Sequence, residues 1–155
     1  MLPWISVAVG GLIGSAARLG IDLLLPHSLG EVPWSTLLIN ALGSFTLGLL
    51  VTLVHPRVPG WVASGLGVGV LGSFTTFSAY AVAVVALARG GAATGDPLAA
   101  ADPWQAVLVL AAGLLSSIFF AWLGLASGRV AIRYKPLTAE DVLRELDAAD
   151  ERDEE

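Results

Sequence analysis

Apolar residues in this chain come in long unbroken runs rather than in alternation. Four runs stand out, roughly 4–25, 34–54, 61–88 and 104–127. They are apolar around every face, so amphipathic periodicity is not the signal they carry. Each is about 20 residues or longer, the length at which one helix crosses a hydrocarbon core of about 30 Å. Three runs hold no charged residue, and the first holds Arg18 and Asp22. Each opens at or near a Trp, which fits an indole ring at headgroup level. The pattern predicts an all-α membrane protein with four transmembrane helices.

The connectors carry turn chemistry: 26–33 (PHSLGEVP), 55–60 (HPRVPG) and a longer Gly/Ala-rich stretch at 89–103. Residues 1–10 contain no Lys or Arg, so the first run reads as a retained span and not as a signal peptide. After Tyr134 the composition changes. Thr138-Ala-Glu-Asp141, with Leu137 before it, has the form of a capping box. A short amphipathic helix with Val142, Leu143 and Leu146 on one face is expected there, followed by a fraying acidic end. The chain thus divides into a four-span membrane domain, 1–133, and an acidic tail, 134–155.

Composition agrees. Of 155 residues, 55% are hydrophobic and only 14% charged, against about 25% charged in soluble domains. Cysteine is absent, which excludes disulfides, thiolate metal sites and a cysteine nucleophile. The net charge of −5 misleads as a single number. Nine of the 13 acidic residues lie in 140–155 beside two arginines, so that segment carries −7 and residues 1–139 carry +2. Four spans place both termini on one side of the membrane. That side carries Arg57, Arg129, Arg133 and Lys135, and the other carries Arg89. The positive-inside rule then predicts a cell-membrane protein with both termini cytoplasmic.

Polar residues inside spans need a reason. Arg18 and Asp22 share a helix face; they form either an i,i+4 ion pair or leave Arg18 to attract an anion at the foot of an aqueous vestibule. Thr36, Asn40 and Ser44 share a face of the second span. They serve either as interhelical hydrogen-bonding groups or as a line of donors along a pore. Glycines are dense, and Gly10-xxx-Gly14 and Gly65-xxx-Gly69 are pairs that let helices approach closely. The segment Gly72-Ser-Phe-Thr-Thr-Phe-Ser-Ala-Tyr80 is poor material for a continuous helix. A break here, at membrane depth, frees backbone groups that must be buried in protein or hold an ion. Phe77 and Tyr80 would project onto one face of the second half, where ring edges can meet an anion.

Three motifs occur in order: Gly10-Gly-Leu-Ile-Gly-Ser-Ala-Ala-Arg18, Thr36-Leu-Leu-Ile-Asn40-x-x-Gly43 and Gly72-Ser-Phe-Thr-Thr-Phe-Ser78. Together they closely resemble the CrcB/Fluc family of fluoride channels, over about residues 4–130. The resemblance implies an antiparallel dimer of four-helix subunits, with a break in the third helix and two narrow pores at the interface. It implies a structural Na⁺ at the centre, held by backbone carbonyls of Gly72 and Thr75. It places Asn40, Phe77, Tyr80, Ser78 and Thr36 along the fluoride path and Arg18 in a vestibule. The partners implied are fluoride, the lipid bilayer and the antiparallel subunit, with no nucleic acid. The implied function is passive, fluoride-selective export that lowers fluoride toxicity.

The chain also departs from the family pattern. Tyr80 stands where the family has a second Phe, and Ala79 where Thr is common. Val109 and Gly113 align with a Tyr and a Ser of the fourth span, with Ser116 and Ser117 nearby. Together with the lopsided Lys/Arg count, these departures point to one subunit of a heterodimer. The alternative is a non-conducting structural partner. A multidrug exporter would need an embedded carboxylate, for which Asp22 is the only candidate. A hydrolase would need a base for Ser73 or Ser78, but His27 and His55 lie in connectors and no Gly-x-Ser-x-Gly elbow exists. No enzyme is expected.

Overall fold

The computed structural model describes residues 3–26, 31–90 and 101–133. Its elements are α1 (Pro3–Leu24), α2 (Trp34–Leu49), α3 (Gly60–Ser64), α4 (Gly72–Phe74), α5 (Ser78–Arg89) and α6 (Pro103–Arg133). A π-helical turn, Leu50–Val54, and a 3₁₀ turn, His55–Arg57, continue α2. A second π-helical stretch, Gly65–Leu71, joins α3 to α4. Four helical stretches are long and apolar enough to cross a membrane: Pro3–Leu24, Trp34–Arg57, Gly60–Arg89 and Pro103–Ile132. They match the four apolar runs. The tail helix expected after Leu137, and His27, lie outside the described residues.

Two features differ from the sequence expectation. The fourth helix runs on to Arg133, past the end of its apolar run, and Gly128 in this extension seats the Thr52 side chain of the second span. The two π-helical stretches fall where α-helix formers are weak: β-branched Val51, Thr52 and Val54 in one, three glycines in the other.

Backbone contact sets the helix spacing. Gly10 and Gly14 are the buried residues of α1. A Cβ at Gly10 would run into the Gly65 carbonyl and stand 3.1 Å from the Gly69 Cα. The two glycine pairs of the sequence therefore face each other across one seam. Ser73 Oγ adds polarity to it, lying 3.0 Å from the Gly11 carbonyl oxygen and 2.7 Å from that of Gly69. α2 packs on α6 in the same way: a Cβ at Gly124 would strike the Phe45 carbonyl and stand 3.2 Å from the Gly48 Cα. The third seam, α5 on α6, is ordinary side-chain packing, with Tyr80, Leu87, Ala106 and Val109 as its buried cluster.

The ends are closed locally. Asp102 Oδ1 accepts the Gln105 N–H at 2.8 Å and caps α6, with Pro103 at the first helical position. The Asp102 N–H donates to the Leu87 carbonyl at 3.0 Å, which docks the start of α6 on the end of α5. Trp4, Trp34, Trp61 and Trp104, near the starts of the four spans, are exposed, as interfacial anchors should be.

The seam generates a prediction. Gly10→Ala, which forces two backbones apart, should destabilise the protein by about 1–3 kcal/mol. Gly20→Ala, which meets nothing within 4 Å, should be neutral or stabilising by up to about 1 kcal/mol. Thermal unfolding in detergent reads both; equal effects would sink the assignment of this seam.

Candidate functional site

In the third span the helix ends at Phe74, with a last helical bond from the Thr75 N–H to the Leu71 carbonyl at 3.0 Å, and restarts at Ser78. Thr75 is extended, at φ −78° and ψ 149°. Two β-branched residues in succession favour such a conformation, and side chains from nearby hold it. Asn40, on α2, makes two hydrogen bonds to the single residue Thr76. Its Oδ1 accepts the Thr76 N–H at 2.9 Å, and its Nδ2 donates to the Thr76 carbonyl at 2.9 Å. Gly43, one turn on, has no Cβ and so admits the Thr75 methyl and the Phe74 ring. One residue before the N-cap Phe77, Thr76 Oγ1 accepts a long hydrogen bond, 3.4 Å, from the Ala79 N–H in the first turn of α5.

These bonds redirect two amides. In a continuous helix the Thr76 N–H would bond the Gly72 carbonyl, and the Ala79 N–H would bond that of Thr75. Here they go to Asn40 Oδ1 and Thr76 Oγ1. Both carbonyls are thus released from their helical partners. The other side of the interruption is the N-terminus of α5, a 12-residue helix whose dipole places partial positive charge there.

A groove of about 530 Å³ runs past the interruption between α2, the third span and α6. Asn40, Ser44, Gly72, Thr75, Thr76, Phe77, Tyr80, Gly113 and Ser117 are among the residues that border it. Several of its hydroxyls are already committed. Thr75 Oγ1 donates to the Leu71 carbonyl at 2.9 Å, and Ser117 Oγ to the Gly113 carbonyl at 2.8 Å. Ser78 Oγ lies 3.2 Å from Thr76 Oγ1 and is exposed. Asn40 keeps its second amide hydrogen, since one N–H goes to Thr76 and an amide has two.

The sequence candidates separate accordingly. Asn40, Gly72, Thr75, Phe77 and Tyr80 meet at the groove, and Ser78 stands beside it. Phe77 is 65% exposed, whereas Tyr80 is 2% exposed, with its hydroxyl donating to the Val109 carbonyl. Thr36 is buried and is not on the groove's border. Arg18 Nε lies 3.7 Å from Asp22 Oδ2, an i,i+4 ion pair. Asp22 Oδ1 also accepts from Ser35 Oγ at 2.8 Å, tying the end of α1 to the start of α2. Two roles were not legible in the sequence: that of Thr76, as the residue that Asn40 clamps, and that of Gly113, as the seat of the Tyr80 ring.

Known proteins resemble this chain over most of its length. Residues 5–125 match the family model described as CrcB-like protein, Camphor Resistance (CrcB). A fluoride-specific ion channel FluC of Thermus thermophilus is 39% identical over 130 residues, covering 83% of this chain and 96% of that one. The protein of that name in Idiomarina loihiensis is 46% identical over 94 residues, 59% of this chain and 72% of its own. Fluoride-specific ion channel FluC 2 of Moorella thermoacetica is 33% identical over 129 residues, 82% of this chain and 98% of its own.

Asn40→Ala removes both bonds to Thr76 and leaves a part-buried peptide unpaired. The expected loss is about 2–4 kcal/mol. Asn40→Asp keeps the acceptor but sets a carboxylate oxygen against the Thr76 carbonyl and should lose at least as much. Thermal unfolding in detergent checks the order; an alanine variant as stable as wild type would remove the clamp from the account.

Proposed function

The chain belongs to the CrcB family, and from that premise we propose that it is a subunit of a passive, fluoride-selective channel that lets fluoride leave the cytoplasm. The observation that carries the reading is the groove at Thr75–Phe77, where an amide donor, aromatic edges and a helix N-terminus converge at membrane depth. Relatives named as ion channels fit a conducting role and not a catalytic one.

Fluoride is small and strongly hydrated, so a pore must replace its water with donors. The second Asn40 N–H, held in direction by the clamp, is one such donor. The Ser78 hydroxyl and the edges of Phe77 and Tyr80 continue the path, since an aromatic edge carries partial positive charge. The N-terminus of α5 favours an anion over a cation beside them. Thr36, buried one turn before Asn40, supports this face of α2. Arg18 draws anions toward the end of α1, with its charge shared by Asp22. Export needs no coupling. Hydrogen fluoride enters neutral and ionises inside, and an inside-negative potential drives the anion out at about 2.3 kcal/mol per 100 mV.

The released carbonyls of Gly72 and Thr75 fit a hard cation, which prefers oxygen ligands. Through them the chain would hold a structural Na⁺, which when bound neutralises the carbonyl dipoles and adds positive charge near the pore. Two carbonyls are too few to replace a hydration shell. An antiparallel second subunit would supply the matching pair and close the groove. The Lys/Arg count favours cytoplasmic termini for this chain, and hence a similar chain of opposite orientation as its partner. The numbered name of the Moorella relative fits more than one such chain in a cell.

Liposomes loaded with fluoride and reconstituted with this chain, with valinomycin to balance charge, test the function. Fluoride efflux without chloride efflux is expected, from the chain alone or from the chain with its opposite-orientation partner. Efflux from the chain alone would overturn the heterodimer, and silence in both compositions would overturn the channel in favour of a structural subunit. Replacing Na⁺ by a large organic cation should lower the melting temperature of the assembled protein. A 1 kcal/mol loss corresponds to about 4 °C, and an unchanged melt would remove Na⁺ from the proposal.

A further inference from the structure

The wall of the groove formed by α5 and α6 is a ring held in a socket. Tyr80 is 2% exposed, and its hydroxyl donates across the seam to the Val109 carbonyl. The ring lies against Gly113. A Cβ there would collide with the Tyr80 hydroxyl and Cζ and would stand 3.0 Å from Cε1. Leu87, Ala106 and Val109 belong to the same buried cluster as the ring. Tyr80 and Gly113 both border the groove.

We infer that Gly113 is a positioning residue that keeps Tyr80 as a pore wall and prevents it from becoming a plug. The inference rests on the channel reading above. With no side chain at 113, the phenol hydrogen is consumed by a backbone carbonyl and the ring offers the groove only its C–H surface. With a side chain at 113, the ring cannot keep its seat. The buried cluster blocks retreat into the seam, so the open direction is the groove. The ring then narrows the path and carries its hydroxyl into it. A constriction sized for a small anion tolerates little of either.

Fluoride efflux from liposomes tests this with the full chain, in whichever composition conducts. Gly113→Ala should reduce efflux by about tenfold or more, the equivalent of 1.4 kcal/mol. Tyr80→Leu in the same chain removes the clashing atoms, so the double variant should return to within about twofold of Tyr80→Leu alone. Size exclusion and thermal melting establish folding for each variant. Recovery in the double variant supports the socket even where Gly113→Ala folds poorly. The inference is overturned by wild-type efflux from Gly113→Ala, or by a double variant that stays tenfold below Tyr80→Leu alone or unfolds where Tyr80→Leu folds. If wild type passes no fluoride in either composition, the channel reading has failed and the inference falls with it.

Discussion

The two hydrogen bonds between Asn40 and Thr76 are the constraint on which the rest of the site depends. Hydrocarbon offers no water to a peptide that leaves a helix, and each unsatisfied group there costs several kcal/mol. An interruption at Thr75–Phe77 is tolerable because one side chain satisfies both polar groups of Thr76 and one hydroxyl takes the Ala79 N–H. What remains is sorted by sign. Released carbonyls lie on the side of α4, and the first N–H groups of α5 lie on the other. The electrostatic layout of the groove thus follows from where a single amide was placed.

That placement needs α2 at a fixed distance from the third span, and glycine supplies it. Gly43 lets the Thr75 methyl and the Phe74 ring approach α2. Gly48 and Gly124 bring α2 against α6, while Gly10, Gly65 and Gly69 bring α1 against the third span. In lipid there is little hydrophobic drive to press helices together, so van der Waals contact between backbones carries the association. Such contacts have no rotamers to relax. The helices around the interruption are therefore held by surfaces that deform little, as a selective constriction requires.

Much of this was legible in the sequence. Hydropathy located all four spans, because length and apolarity are one-dimensional properties. The small-residue pairs were legible as contact surfaces, but not their partners: that Gly10 faces Gly65 and Gly69 depends on the relative height of two helices. The segment from Gly72 to Tyr80 announced poor helix formation through its composition. The same reading left Asn40 open between a packing group and a pore donor. The structure gives it the first role through the clamp and leaves one hydrogen for the second. Tyr80 and Gly113 looked like separate losses of pore chemistry. In three dimensions they are one arrangement, since the phenol occupies the space that Gly113 leaves empty. The π-helical stretches were hidden because weak α-formers announce weakness without naming the alternative.

The buried side chains are satisfied: among the described residues no buried side-chain nitrogen or oxygen lacks a hydrogen-bond partner. Its surface at the groove is not closed in the same sense. Phe77, 65% exposed, stands next to two carbonyls that lack helical partners. Lipid can cover the ring but cannot satisfy the carbonyls. On the proposed reading a second subunit and a cation do so together. An antiparallel arrangement of identical chains would require this chain to insert in both directions. Four basic residues against one near the membrane oppose that. The partner that fits both demands presents the same carbonyl pair and a complementary groove with its Lys/Arg bias reversed. On the proposed reading, the surplus of charge that favours one orientation for this chain also specifies the opposite bias its partner would carry.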